Sequence, residues 1–276
     1  MIQCWSGGIN MSFPMVSVIM GTYNDKDTVR KAIHSIQEQT YKNWELIICD
    51  DHSTDDTYEV LKEIQKDNPE KIILLRNNEN MKLAFSLNRC LSVAKGKYIA
   101  RMDADDISLP HRLETQVNFL ETHSEYQVVS CRSVVFDENG EREVIGIEGE
   151  PLKECMLFNV PFVHPTIMMR KSVYDEIGGY TVLPRTERGQ DVDLWFKFFS
   201  KGFRGYILPD VLYKYYNLRS TLKKRKNLRL AFNYTKTNLV GYHLLKFPKY
   251  KYIFAFKPVV STLVPEKIKI IYRNNK

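Results

Sequence analysis

Four short, mostly apolar runs constrain this chain more than any other feature: residues 16–20 (Val-Ser-Val-Ile-Met), 46–48 (Leu-Ile-Ile), 72–75 (Ile-Ile-Leu-Leu) and 98–102 (Tyr-Ile-Ala-Arg-Met). A half-exposed strand alternates apolar and polar residues; a strand covered on both faces of a parallel sheet does not. Between the runs, apolar residues recur at helical spacing. Val29, Ile33 and Ile36 mark one helix over 26–39, and Tyr58, Leu61 and Ile64 mark a second. A third spans 82–94 and stops at Gly96. Strand and helix alternating four times predict an α/β fold with a Rossmann-like, mostly parallel sheet and helices on both faces.

The second half changes character. Residues 127–136 read as a strand, and Asn139-Gly140 as a hairpin turn into 141–147. Helical fragments are expected over 152–158 and 171–177. A helix over 191–200 turns Leu194, Trp195, Phe198 and Phe199 inward and ends at Gly202. Residues 203–208 and 211–216 read as two closing strands. The organisation expected is an extension (1–13), one catalytic domain (14–216) and a tail (217–276).

A chain of 276 residues can bury a full core. None of its five cysteines has CxxC or metal-ligand spacing, and Cys49 and Cys131 lie inside strand patterns; buried free thiols of a reducing compartment are expected. The first residues do not resemble a signal peptide, and no run reaches membrane-span length, so a cytoplasmic location is expected. The net charge of +7 is uneven: residues 217–276 carry 15 Lys or Arg against one acid, Glu266, which leaves −7 on residues 1–216. An acidic body with a basic tail calls for an anionic partner of the tail.

Three strand ends turn abruptly polar: Thr22-Tyr23-Asn24, Asp50-Asp51 and Asp103, Asp105, Asp106. Parallel strands direct their carboxyl ends to one edge, so these groups converge where open α/β sheets bind ligands. Tyr23 can stack on a base, and Asp51 can accept from an imide N–H. Three adjacent carboxylates repel one another unless a cation neutralises them, and hard divalent metals take oxygen ligands. Each motif alone also suits a helix cap: the acids before a helix opened by Pro110, and Ser53 with Asp56 before the second helix. Neither GxGxxG nor GxxxxGK[ST] is present, so phosphate charge falls to a metal, with Arg76 or Arg101 in support.

Val-Ser-Val-Ile-Met-Gly-Thr-Tyr-Asn, Ile-Cys-Asp-Asp-His-Ser-Thr-Asp, Ala-Arg-Met-Asp-Ala-Asp-Asp and Gln-Asp-Val-Asp-Leu-Trp follow one another in the order seen in family-2 glycosyltransferases, which the chain resembles over residues 14–216. The resemblance implies the GT-A fold, a nucleotide-diphosphate sugar donor (UDP as the expected nucleotide) and inversion at the anomeric carbon. It implies that Asp103-Ala104-Asp105 is the DxD motif, with Asp105 a ligand of Mn2+ or Mg2+ and Asp103 facing the ribose or donor sugar. Thr22, Tyr23, Asn24 and Asp51 fall on the nucleoside side, and Asp191 on the general base. Gln190 stands where the family usually has Glu; with Trp195 and His164 it falls on the acceptor side. The expected acceptor is a glycan or lipid-linked glycan of surface polysaccharide synthesis, and the absence of QxxRW argues against a processive synthase.

In the tail, 223–226 (Lys-Lys-Arg-Lys) precedes Leu228, Leu230 and Phe232, and aromatics alternate with lysines from Lys249 to Lys257. This pattern suits peripheral contact with an anionic membrane, which would place the protein at the inner face of the cell membrane. An RNA-binding surface and a helical cap on the core are the other readings; no nucleic acid partner is expected. The alternative from another class is a sugar-nucleotide-binding protein of weak catalytic power that docks a partner through its tail.

Overall fold

The computed structural model describes residues 13–217 and 227–264. The described chain runs β1 (Val16–Thr22), α1 (Val29–Gln37), β2 (Trp44–Asp50), α2 (Thr57–Asp67), β3 (Ile72–Arg76), α3 (Leu83–Val93), β4 (Tyr98–Arg101), β5 (Ile107–Ser108) and α4 (Arg112–Thr122). It continues with β6 (Val128–Asp137), β7 (Gly140–Ile145), β8 (Met168–Arg170), α5 (Lys171–Ile177), α6 (Gln190–Ser200), β9 (Gly205–Tyr216), α7 (Leu228–Leu244) and α8 (Lys257–Leu263).

The strands form one sheet in the order β3-β2-β1-β4-β8-β6-β9-β5, with β7 paired to β6. The first four strands are parallel, as the mostly apolar runs predict. β8 then runs antiparallel between β4 and β6, and β9 returns parallel to β6. Alternate residues of β1 and β2 enter two separate cores. Ile19, Ile47 and Cys49 pack with α3, α5, α6 and α7; Val18, Met20, Leu46 and Ile48 pack with α1, α2 and α4. Both faces of the sheet are therefore covered, and the fold is the expected α/β one.

Three local expectations change. The two closing strands are one, β9. Its register jumps from Leu208 opposite Cys131 to Val211 opposite Arg132, so Pro209 and Asp210 bulge out, as a residue without an N–H must. Pro110 does not open α4, whose N-cap is His111. Ser53 does not cap α2, whose N-cap is Asp56; its hydroxyl instead accepts from the N–H of Asn24 (3.0 Å).

The described part of the tail is helical and packs on the body. α7 crosses α6 so closely that a Cβ on Gly241 would lie 2.1 Å from the Phe196 ring, and Tyr242 is fully buried. No helix among the described residues is long and apolar enough to cross a membrane. Lys223, Lys224, Arg225, Lys226 and residues 265–276 lie outside the described residues.

Candidate active site

The carboxyl ends of β1, β2 and β3 build one side of the site. Asp25 accepts from the Thr22 hydroxyl (2.7 Å) and the Tyr23 N–H (3.0 Å), which fixes the turn after β1 and leaves the Tyr23 ring 43% exposed at its tip. Asn24, at φ +59°, accepts from the Thr54 N–H at 2.8 Å and so ties this turn to the one after β2. Asp51 is buried. It accepts from Asn77 Nδ2 (2.6 Å) and from the N–H groups of Met81 and Lys82 (2.8 Å each), which anchors the loop leading into α3. Arg76 pairs with Asp50 (3.2 Å) and lies 4.1 Å over the Tyr58 ring. Arg76, Asn77 and Arg89 line a cavity of about 270 Å3.

The chain leaving β4 carries the acids. Ligand oxygens of Asp103, Asp105 and Asp106 lie within 4.8 Å of one another. Burial, then the charges of Asp103 and Asp25, push Asp105 up to about 7. Burial, then the charges of Asp103 and Asp105, hold Asp106 well above the carboxylate range. Asp106 accepts from the Tyr216 N–H (2.7 Å) through one oxygen, while the other is buried without a hydrogen-bond partner. Three hard, mutually repelling oxygen donors with an orphaned buried oxygen fit a divalent cation.

Two buried guanidiniums support these acids. Arg101 pairs with Asp103 at 2.5 Å and donates to the Met102 carbonyl. Burial works against the Arg101 charge, yet Asp103 holds its pKa above the ordinary value. Arg112 donates to the carbonyls of Arg101 (2.7 Å), Pro165 (3.2 Å) and Ile167 (3.3 Å), and so ties β4 to the segment carrying His164. The sequence gives no sign of Arg112, because only the fold turns this position of α4 toward carbonyl groups.

The opposite side starts at α6. Gly189, at φ +131°, donates to Gln190 Oε1 at 3.1 Å. The Asp191 carboxylate accepts from N–H groups of its own turn, and burial raises its pKa above the ordinary value. His164 shares a hydrogen bond with the Tyr180 hydroxyl (3.0 Å); burial, and secondarily Arg101, push it down to about 3, so it is neutral. Trp195 is fully buried behind His164, edge-to-face at 5.7 Å, and reaches this side only through that ring.

One cleft of about 1000 Å3 runs between the two sides. Arg101, Asp103, His164, Gln190 and Asp191 lie along it together with Tyr234, Phe254 and Lys257 from the C-terminal segment. The last three were missed by sequence reasoning, since no motif extends past residue 216. The Thr22, Tyr23, Asn24, Asp51 and Arg76 group stands beside this cleft, at the same edge of the sheet.

The model of Glycosyl transferase family 2 matches residues 17–178, a span that ends before Gln190 and Asp191. EpsE of Bacillus subtilis strain 168, named as a glycosyltransferase, is 44% identical over 96% of this chain and 95% of its own. WfaP of Escherichia coli, named as a UDP-Glc:α-D-GlcNAc-diphosphoundecaprenol β-1,3-glucosyltransferase, is 31% identical over 81% of this chain and 86% of its own. Among solved structures, S. aureus TarS in complex with UDP-GlcNAc superposes with a TM-score of 0.67 at 16% identity, over 92% of this chain and 82% of that one. The mannosyltransferase PcManGT from Pyrobaculum calidifontis, in complex with GDP-Man and Mn2+, gives 0.63 at 17% identity, over 95% and 79%. At these identities the two structures show the fold.

Proposed function

Because this chain belongs to glycosyl transferase family 2, we propose that it transfers one sugar, with inversion, from a UDP-sugar to a glycan or lipid-linked acceptor of surface polysaccharide synthesis. The observation that carries this reading is Asp191: a carboxylate with no side-chain partner among the described residues, its pKa raised by burial, on the same cleft as Asp103 of the acid cluster. A sugar hydroxyl is a weak nucleophile, and a carboxylate of raised pKa beside it can take its proton as the glycosidic bond forms. With a base on the acceptor side and the diphosphate's charge met by a cation that the acid cluster would hold, displacement would be direct and the anomeric centre would invert.

Asp105, with Asp103 and Asp106, would hold Mn2+ or Mg2+, which supplies positive charge to the departing diphosphate. Arg101 orients Asp103 through their ion pair. Neutral His164 can hydrogen-bond without adding charge beside Asp191. Tyr23 stacks on the base, while Asp51, Arg76, Thr22 and Asn24 shape its pocket. Gln190 offers the acceptor an amide N–H, since its carbonyl is taken by Gly189.

WfaP's named lipid-diphosphate acceptor supports a lipid-linked acceptor here. Tyr250, Ile253, Phe256, Val260 and Leu263 are exposed beside Lys249 and Lys257, a surface suited to peripheral contact with an anionic membrane at its cytoplasmic face. Calorimetric titration of UDP with and without Mn2+ tests the donor site. Binding that needs Mn2+ and disappears in Asp105→Ala is expected; equal binding by that variant would overturn the metal assignment. Transfer from UDP-glucose or UDP-GlcNAc then separates an enzyme from a binding protein without turnover.

A further inference from the structure

The helix after the catalytic layer brings a tyrosine to the general base. Tyr234 of α7 sets one ring edge against Gly189: a Cβ there would sit 3.3 Å from Cδ2 and Cε2, so only glycine allows this approach without the ring giving way. The position also has φ +131°, a conformation that side chains rarely adopt. Glycine one residue before the Gln190-Asp191 pair thus lets the phenol ring close over the N-terminus of α6.

The ring packs on the core, while the residue lines the cleft with Gln190 and Asp191. The phenol hydroxyl has no hydrogen-bond partner among the described residues, although both neighbouring tyrosines of this core, Tyr180 and Tyr242, use theirs. Burial, and then the charge of Asp191, hold the phenol pKa far above the ordinary tyrosine value, so the group carries its proton. That O–H, without a protein partner among the described residues, is open to the cleft and free to bond a ligand there.

Three groups then face the same space with complementary chemistry. Asp191 only accepts, Tyr234 donates and accepts, and Gln190 Nε2 donates. A sugar with two adjacent hydroxyls matches this set: one gives its proton to Asp191, and its neighbour exchanges hydrogen bonds with the phenol. We propose that Tyr234 is an acceptor-binding residue of this enzyme, reading the hydroxyl next to the one that attacks. The proposal rests on the glycosyltransferase reading of the cleft. It places part of the acceptor site on α7, outside the span of the family model.

The test compares wild type with Tyr234→Phe, which keeps the ring and its packing and deletes only the oxygen. UDP affinity and UDP-sugar hydrolysis by water report the donor side. Transfer to octyl β-D-glucoside and octyl N-acetyl-β-D-glucosaminide, with calorimetric binding of both in the presence of UDP and Mn2+, reports the acceptor side. Loss of one such hydrogen bond should raise acceptor KM about 5–10-fold, leaving kcat, UDP affinity and melting temperature little changed. Mono-deoxy glycosides lacking the neighbouring hydroxyl should show the same loss with wild type and none further with the variant.

Unchanged acceptor KM and binding in Tyr234→Phe would overturn the role of Tyr234 and leave the glycosyltransferase reading intact. Wild type that binds UDP but neither binds nor glycosylates either glycoside would overturn the acceptor assignment. Failure of wild type to bind UDP at all would instead strike the reading on which the proposal rests.

Discussion

Asp191 and Asp193 stand two residues apart on α6 and meet opposite surroundings. Asp193 is buried in an ion pair with Arg185 and accepts the Thr181 hydroxyl at 2.5 Å, whereas Asp191 has only N–H groups of its own turn and opens onto the cleft. Arg185 in turn accepts, through its carbonyl, from the Thr237 hydroxyl of α7 (2.8 Å). One acid of the pair anchors the C-terminal helix, and the other faces the cleft.

Asp191→Asn should therefore reduce transfer by about 10²–10⁴-fold, the usual share of a general base, without weakening UDP binding. Radiometric transfer and calorimetry on the same preparation check this. In the wild type, kcat should fall as pH drops through the raised Asp191 pKa, so the acid limb lies above the pH at which an ordinary aspartate titrates.

The same variant should melt later. Asp191 has its folded pKa raised above 3.8 by burial. The unfolded carboxyl then ionises first, and stability present below that value is lost as pH rises through the folded pKa. At neutral pH the buried charge is a cost, and removing it should raise Tm by about 2 °C at this chain length. Scanning calorimetry at pH 7 measures it; an unchanged or lower Tm would contradict the account.

Asp193→Ala should do the reverse, leaving Arg185 without its partner. Breaking a buried pair from one side costs about 3–5 kcal/mol, and partial exposure of Arg185 places this case near the lower end. Urea denaturation should show that loss, and UDP affinity measured in native buffer should be retained.

Metal affinity should depend on pH. Asp105 without metal titrates near 7, and a protonated carboxylate does not ligate. Between pH 8 and pH 6 the apparent affinity for Mn2+ should fall about tenfold, from competition with that proton alone. Electron paramagnetic titration of free Mn2+ at the two pH values measures it; equal affinities would remove Asp105 from the ligand set.

The exposed aromatic and aliphatic residues beyond α7 give a separate test. Ile253 and Tyr250 are 72% and 74% exposed. Changing both to aspartate should leave melting temperature unaltered and weaken sedimentation with phosphatidylglycerol vesicles by at least about tenfold. Binding that survives the double change would assign membrane contact to another part of the chain, or to none.

Sequence alone determined the layer and its chemistry-bearing edge. Unbroken apolar runs such as Leu46-Ile47-Ile48 permit little but strands covered on both faces, and a parallel sheet must gather their polar ends at one side. Asp103, Asp105 and Asp106 follow from that rule, because strand direction and residue identity are both local properties. Tertiary structure decided what surrounds them. The bulge at Pro209 and Asp210 depends on what β6 offers opposite. Arg112 became a tie between segments only when the carbonyls of Arg101, Pro165 and Ile167 converged on it. The division of labour between Asp191 and Asp193 required Arg185 and Thr181 to arrive from outside the helix. Tyr234 reached the cleft because Gly241 admits Phe196 and Gly189 admits the phenol ring. Close packing between segments distant in the chain leaves no periodicity to read, so the α6 side of the cleft is written in contacts, and the acid side in strand ends.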